Sequence, residues 1–98
     1  AVGIGQIAYM RKIFFSKAIR KDLIRLRKRG AKSSKLERVI DVLKDTGGLP
    51  SSFQPHKLHG EWTGKWECHI EHDWLLIYAV EESAVYLYRS GSHPDLFE

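Results

Sequence analysis

Cysteine, long apolar runs and a recognisable leader are what this sequence has least of. It contains one cysteine in 98 residues, and a single thiol cannot form an internal disulfide, so a disulfide-stabilised secreted domain is not expected. No apolar run approaches the ~18 residues that suggest a membrane span. The N terminus lacks the basic segment and the long apolar segment of a signal peptide. We therefore expect a cytoplasmic domain that has no membrane partner.

Charge is absent from the first nine residues, AVGIGQIAY, which directly precede the only methionine, Met10. We interpret residues 1–9 as a cloning remnant or a disordered arm. Residues 10–98 are then a single domain, because 43% of the chain is hydrophobic and this content is enough for one small core.

Acidic residues are scarce in the first half of the sequence. Residues 11–45 hold 13 Lys or Arg and 4 Asp or Glu, whereas residues 46–98 hold 3 and 8. All five histidines lie in the second half. A cationic cluster of this density is relieved by a polyanionic partner, although an ordinary solvated helix surface would have the same composition. The second half is richer in groups that can transfer protons near neutral pH.

Two helices are predicted after a short first strand at residues 12–15. Ser16 can cap the first helix, and Ile19, Leu23 and Leu26 recur at helical spacing. Gly30 is expected to end this helix.

The second helix is predicted to begin at Ser34, because Ser34-x-x-Glu37 fits a capping box. The pair Gly47-Gly48 is expected to end it. Residues 49–64 read as a long loop that contains His56 and His59, and loops of this length are usually functional or disordered.

Three strands are predicted at residues 65–71, 74–80 and 84–90, with hairpin-sized connections. The element order is β-α-α-β-β-β, which indicates an α+β domain with a two-helix hairpin packed on a small antiparallel sheet. Alternation in the first of these strands places Cys68 toward the core, where its thiol should be inert. Glu67 and His69 then share the opposite face, which we expect to be solvated.

Three blocks in the second half carry a resemblance to a known family. They are PHKLxGxW at residues 55–62, HIExDWLLIY at residues 69–78 and RSGSHxxLF at residues 89–97. Together, and in this order, they resemble the YafQ group of the RelE/ParE toxin superfamily. The predicted element order also matches that superfamily.

The resemblance implies an mRNA endonuclease that cuts messages in the 30S A site of the ribosome and is neutralised by a cognate antitoxin. It also implies that the RNA 2′-hydroxyl attacks the scissile phosphate, with no metal and no cofactor. The residues that match the family's catalytic positions are His56, Glu67, His69, Asp73 and His93. The residues expected to contact RNA are Arg89, Trp74 and Phe97, and the helix cations Arg20, Lys21 and Arg25. His59 and His72 match no family position.

The chemistry of such a cleavage suits these residue types. It needs a base for the 2′-hydroxyl, an acid for the leaving 5′-oxygen, and positive charge for the phosphorane. Imidazoles serve the first two needs, and the guanidinium of Arg89 could hold phosphate oxygens. We favour His93 as one proton-transfer partner, and expect His69 to be oriented or charged by Asp73 or Glu67. The sequence does not assign acid and base.

Two other functions are compatible with the same sequence. A gyrase-targeting toxin of the ParE type would share the fold but would not need the histidine set. A basic nucleic-acid adaptor would make the histidines incidental. The pairs His56-x-x-His59 and His69-x-x-His72 could suggest zinc, but no cysteine pair accompanies them. Trp66 and Trp74 are also expected to be largely packing residues.

Overall fold

Residues 10–97 are described by the computed structural model, so the interpretation of residues 1–9 lies outside the described residues. In chain order the elements are β1 (Lys12–Phe15), α1 (Lys17–Lys28), α2 (Ser33–Thr46), β2 (His56–Lys57), β3 (Trp66–Glu71), β4 (Trp74–Val80), β5 (Ala84–Gly91) and α3 (His93–Phe97). Two single 3₁₀ turns, Ser51–Phe53 and Gly60–Trp62, flank β2. The strand order in the sheet is β1-β5-β4-β3-β2. Strand β1 runs parallel to β5, and the other neighbours are antiparallel.

The predicted α+β architecture and the antiparallel meander of the last three strands are confirmed. The sheet has five strands rather than four, because two residues of the predicted loop form β2 and pair with β3. Helix α3 was not predicted. Elements of two and five residues are too short for hydrophobic periodicity to reveal them. Strand β1 is parallel to its neighbour β5. The helices and strands between them provide the long connection that a parallel pair requires.

The ends of the helices test the capping predictions. Ser16 caps α1, and its side-chain oxygen accepts a hydrogen bond from the N–H of Ile19 at 2.9 Å. The capping box predicted at Ser34 is wrong, because α2 begins one residue earlier, after Lys32, without a side-chain cap. Gly47 ends α2 as predicted, in a left-handed conformation with φ +78°.

The main core lies between the two long helices and one face of the sheet. Its fully buried side chains include Ile19, Val39, Leu43, Leu76 and Leu87. Cys68 is also fully buried, as predicted, and burial raises the pKa of its thiol to about 12. This thiol is therefore protonated and unreactive near neutral pH.

A second, smaller cluster covers part of the other face of the sheet. Leu75 and Ile77 of β4 pack there against Leu96 of α3, and Leu58 and Trp62 from the segment after β2 contact them. Glu67 lies opposite Ile77 on this covered face and is 6% exposed, so the prediction that its face is solvated is wrong.

Buried Asp22 ties α1 to the end of β5. This side chain is 3% exposed. Its Oδ1 accepts from the guanidinium of Arg25 at 2.6 Å and from Nη2 of Arg89 at 3.1 Å. Its Oδ2 accepts from Nε of Arg89 at 2.7 Å and from the N–H of Ser90 at 3.0 Å. A buried carboxylate is stable only when it is paired and hydrogen-bonded in this way.

A second ion pair joins the C-terminal end of the same helix to α3. Arg29 donates to both carboxylate oxygens of Asp95, at 2.7 and 3.2 Å. The guanidinium and the N–H of Ser92 hold the pKa of Asp95 well below its usual range. The end of α1 therefore positions both β5 and α3. No helix within residues 10–97 has the length and apolar character needed to cross a bilayer.

Replacing the buried carboxylate should destabilise the fold. We expect Asp22→Ala to lower the free energy of unfolding by about 2–3 kcal/mol, because it leaves two partly buried guanidinium groups unpaired. Urea denaturation followed by circular dichroism measures this change. Asp41→Ala, at an exposed position on α2, is the matched control and should change stability by less than about 0.5 kcal/mol. Equal effects of the two substitutions would contradict the assignment.

The Asp95 pair should contribute to acid sensitivity. Since its folded-state pKa is depressed, its stabilisation is complete above the unfolded value of about 3.9 and is lost as pH falls further. Urea titrations between pH 6 and pH 2 should therefore show a shallower acid loss for Asp95→Asn than for the unchanged chain. Identical slopes would mean that the pair contributes nothing.

Candidate active site at one end of the sheet

The backbone register brings four of the five predicted catalytic residues to one end of the sheet. His56 of β2 lies directly opposite Glu67 of β3. His69, further along β3, is level with Gly91 of β5 through the intervening strand. Two strand spacings of about 4.8 Å separate these backbones, and His93 begins α3 two residues later. The site is thus built from three strands and one short helix.

The same residues also share one face of the sheet. Glu67 and His69 alternate with Cys68, which points into the main core, so they belong to the opposite face. Helix α3 packs on this opposite face through Leu96, which contacts Leu75 of β4.

His56 is held between a backbone carbonyl and a buried carboxylate. Its Nδ1 lies 2.9 Å from the carbonyl oxygen of Gln54, and its Nε2 lies 3.1 Å from Oε1 of Glu67. A carbonyl can only accept, so Nδ1 carries a hydrogen. The contact between Nε2 and Oε1 then requires one further proton. The pair is either imidazolium with carboxylate, or imidazole with carboxylic acid.

The second carboxylate oxygen of Glu67, Oε2, does not take part in this contact. The Glu67 side chain is 8% exposed, and its Oε2 is buried with no hydrogen-bond partner among the described residues. A buried unpaired carboxylate oxygen is costly, whereas a carboxyl group that shares a proton with a neighbour is less so. The contact with His56 is therefore the one polar contact of this buried carboxyl group among the described residues.

His69 is held differently. Its Nδ1 lies 3.2 Å from the carbonyl oxygen of His72, so Nδ1 again carries the hydrogen. In the neutral ring Nε2 is then an acceptor with a free lone pair, as a general base requires. The expectation that Asp73 or Glu67 orients His69 is wrong: the carbonyl of the β3–β4 turn orients it instead. A register shift between His69 and Glu71 accompanies this turn.

Asp73 and Trp74 lie where β4 begins. Asp73 is exposed and lines an open groove of about 370 Å³ together with Lys32 and Lys35. Trp74 is 6% exposed, and its indole N–H donates to Ser90 Oγ at 2.9 Å. Trp74 is therefore mainly a packing residue, as expected, and its buried ring does not offer a face for the RNA contact that the resemblance implied.

Helix α3 presents His93 and Phe97 at the surface, with ring centroids 5.0 Å apart. The sequence contained a signal for this helix. Ser92 Oγ accepts from the N–H of Asp95, whose carboxylate accepts from the N–H of Ser92, and such a reciprocal cap follows the Ser-x-x-acid pattern. Gly91 precedes it at φ +156°, and a Cβ there would lie 2.8 Å from Asp95 Oδ2.

The structure changes the role expected of Arg89. Nε and Nη2 of its guanidinium both donate to Asp22. Only Nη1 is therefore left to donate to an anion. The side chain is 26% exposed. Asp22 was not among the predicted site residues. A lone acid on the apolar stripe of a cationic helix was the signal that could have found it.

The helix cations are not brought together with the histidines. Arg20 and Lys21 are exposed on α1, which covers the sheet face opposite to His69. Arg25 is engaged by Asp22. Within residues 10–97, no three His, Cys, Asp or Glu side chains are grouped so that they could hold a metal ion.

Comparisons with known proteins agree with this architecture. A family model described as the bacterial toxin YafQ of a type II toxin–antitoxin system matches residues 11–98. The mRNA interferase toxin YafQ of Escherichia coli K12 is 34% identical over 88 residues, which cover 89% of this chain and 96% of that protein.

Two solved structures extend the likeness to the fold. The crystal structure of the E. coli DinJ–YafQ toxin–antitoxin complex matches with a TM-score of 0.82 and 32% identity, over 91% of this chain and 99% of that chain. The crystal structure of a metal-bound toxin from Helicobacter pylori matches with a TM-score of 0.82 and 36% identity, over 90% and 100%. The resemblance carried by the three sequence blocks is thereby confirmed, and this chain belongs to the YafQ family of bacterial toxins of type II toxin–antitoxin systems.

Proposed function

We propose that this chain is an endoribonuclease that cleaves mRNA in the decoding site of the ribosome, in the cytoplasm, without a metal ion. The name of its E. coli relative, an mRNA interferase toxin, supports the activity. The observation that carries the mechanism concerns His56 and His69 at one end of the sheet. Both hold Nδ1 on a backbone carbonyl, but Nε2 of His56 contacts Glu67, whereas Nε2 of His69 is left as an acceptor.

The reaction needs no nucleophile from the protein. A base removes the proton of the 2′-hydroxyl, the 2′-oxygen forms a bond to phosphorus, and the bond from phosphorus to the 5′-oxygen breaks. An acid protonates the departing 5′-oxygen. The products are a 2′,3′-cyclic phosphate and a 5′-hydroxyl. Each positioned proton transfer contributes about 10²–10⁴-fold to the rate.

His69 is the base in this proposal, because Nδ1–H is fixed on the carbonyl of His72 and Nε2 is left as the acceptor. His93 is the acid, because it is exposed at the start of α3 beside Phe97. The hydrogen-bonded pair of His56 and Glu67 lies at the same end of the sheet as these two groups. Phe97, which is 39% exposed, can stack on a base of the message.

Positive charge for the phosphorane comes from Arg89 of β5, which is paired with Asp22. Arg25 and Arg89 share this one carboxylate, so the three side chains together retain one positive charge. Nη1 of Arg89 is free of the Asp22 fork and can donate to a non-bridging oxygen. Exposed Arg20 and Lys21 on α1 would contact ribosomal RNA phosphates, with salt-sensitive affinity.

A cognate antitoxin is the expected protein partner, as DinJ is of YafQ in the E. coli complex. The excess of basic residues in α1 and α2 suits acidic side chains on such a partner.

Acid and base can be assigned by single-turnover cleavage of mRNA on programmed ribosomes. We expect His69→Ala and His93→Ala each to slow cleavage by about 10²–10⁴-fold. The bell-shaped pH–rate profile should lose its low-pH limb in His69→Ala, because a base must be deprotonated, and its high-pH limb in His93→Ala. His59→Ala, at an exposed histidine outside the site, is the control and should stay within twofold. Exchanged limbs, or an equal loss in the control, would contradict the assignment.

Metal independence can be tested by treating only the toxin, and not the ribosomes, with a chelator. Toxin treated with EDTA and then desalted should cleave at an unchanged rate when it is added to ribosomes in their usual Mg²⁺ buffer. The metal-bound H. pylori relative makes this control necessary. A tenfold loss that zinc or copper restores would show that the proposed metal-free chemistry is wrong.

A further inference from the structure

Four aromatic side chains form a continuous row on the sheet face opposite α1 and α2. Phe14 of β1 stacks on Tyr86 of β5 with ring centroids 5.2 Å apart. Tyr86 lies 6.5 Å from Tyr88, and Tyr88 lies 6.4 Å from Trp62. We call these four residues the aromatic row. It crosses the sheet from the β1 edge to the segment that follows β2.

The row is not part of the main core. Ile13 packs against that core while Phe14, its neighbour in the strand, is 47% exposed. Tyr86 and Tyr88 are partly exposed as well. A single exposed aromatic ring is common on protein surfaces, but a connected series of them indicates a binding surface.

Cations accompany the row. Nζ of Lys65 lies over the Tyr88 ring, 5.0 Å from its centroid, and Lys12 shares the exposed face of β1 with Phe14 by strand alternation. A ligand that fits flat apolar rings beside ammonium groups has planar bases and negative charge. Single-stranded nucleic acid has both, and each stacked base contributes about 1–3 kcal/mol in such proteins.

The row is also continuous with the candidate active site. Tyr88 and Trp62 pack against the cluster of Leu75, Ile77 and Leu96, and Leu96 belongs to the helix that carries His93 and Phe97. A strand of RNA that passes the histidines would therefore reach the row at Tyr88.

We propose that the aromatic row binds the bases of single-stranded RNA next to the scissile phosphate, with Phe14 at its outer end. The proposal rests on the proposed function, because it takes the bound strand to be the one that is cleaved. It adds a second stacking surface to Phe97 and makes the bound strand longer than the reacting dinucleotide.

The test uses the whole chain and a 2′-O-methyl single-stranded RNA decamer, which cannot be cleaved, with fluorescence anisotropy as the measurement of affinity. Phe14→Ala and Phe14→Leu should each weaken binding by about fivefold or more, the lower end of the stacking range. Phe14→Tyr, which keeps the ring, should bind as the unchanged chain does. The matched control is Phe15→Ala, in the same strand but on the other face and 37% exposed; it should stay within twofold. Circular dichroism confirms that each variant is folded.

Equal affinities for Phe14→Ala and Phe15→Ala would overturn the proposal, as would equal affinity for a duplex of the same length. Unchanged RNA affinity together with loss of a dimer in Phe14→Ala, measured by light scattering, would assign the row to a second copy of the chain and also overturn it. Cleavage on ribosomes is measured separately. If Phe14 governs RNA affinity but no message is cut, the proposed function fails and the row is left as a binding surface for single-stranded RNA without a scissile phosphate. If messages are cut but Phe14→Ala binds RNA normally, only the row is removed.

Discussion

The packing of α1 against the sheet depends on the buried carboxylate of Asp22, which the guanidinium groups of Arg25 and Arg89 hold. Burial of an unpaired carboxylate would be prohibitive, and the four hydrogen bonds from Arg25, Arg89 and Ser90 remove that penalty. They also fix the end of β5 against α1. Ser90 continues the connection, because its hydroxyl accepts from Trp74 and donates to the carbonyl of Leu75. A single helix therefore sets the relative position of two strands at the end of the sheet where the histidines lie.

Helix α3 is placed by the C-terminal end of the same helix, about two turns after Asp22. Arg29 holds Asp95, and Asp95 in turn closes the reciprocal cap with Ser92. A helix of five residues has little stability of its own, since nucleation is costly. Its position is therefore determined by this ion pair, by the cap and by the burial of Leu96. The chemistry of the site follows from these contacts, because they bring His93 to the end of the sheet where His69 lies.

Two histidines in nearly equivalent strand positions acquire different properties from their surroundings. Both rings direct Nδ1 at a backbone carbonyl, but Nε2 of His56 contacts the buried carboxyl group of Glu67, whereas Nε2 of His69 has no partner among the described residues and can accept a proton. The aromatic row adjoins the same face. In the proposed function, the histidines that transfer protons and the rings that stack on bases belong to this one face of the sheet.

The sequence by itself determined the two long helices, the three-strand meander and the family. Hydrophobic periodicity, the Ser16 cap and the Gly47 stop are local signals, and the three motif blocks are strings of neighbouring residues. Cys68 was correctly placed in the core for the same reason, because alternation in a strand is local. Tertiary structure decided what depended on pairing across the chain. Strand β2 forms by pairing with β3, and Glu67 lies on a face that Leu58, Trp62 and α3 cover in part. Asp22 engaged Arg89 across 67 positions, and the carbonyl of His72, rather than a carboxylate, came to orient His69. No local pattern records such contacts, because each needs two distant segments whose separation is fixed only after the sheet and the helices have packed.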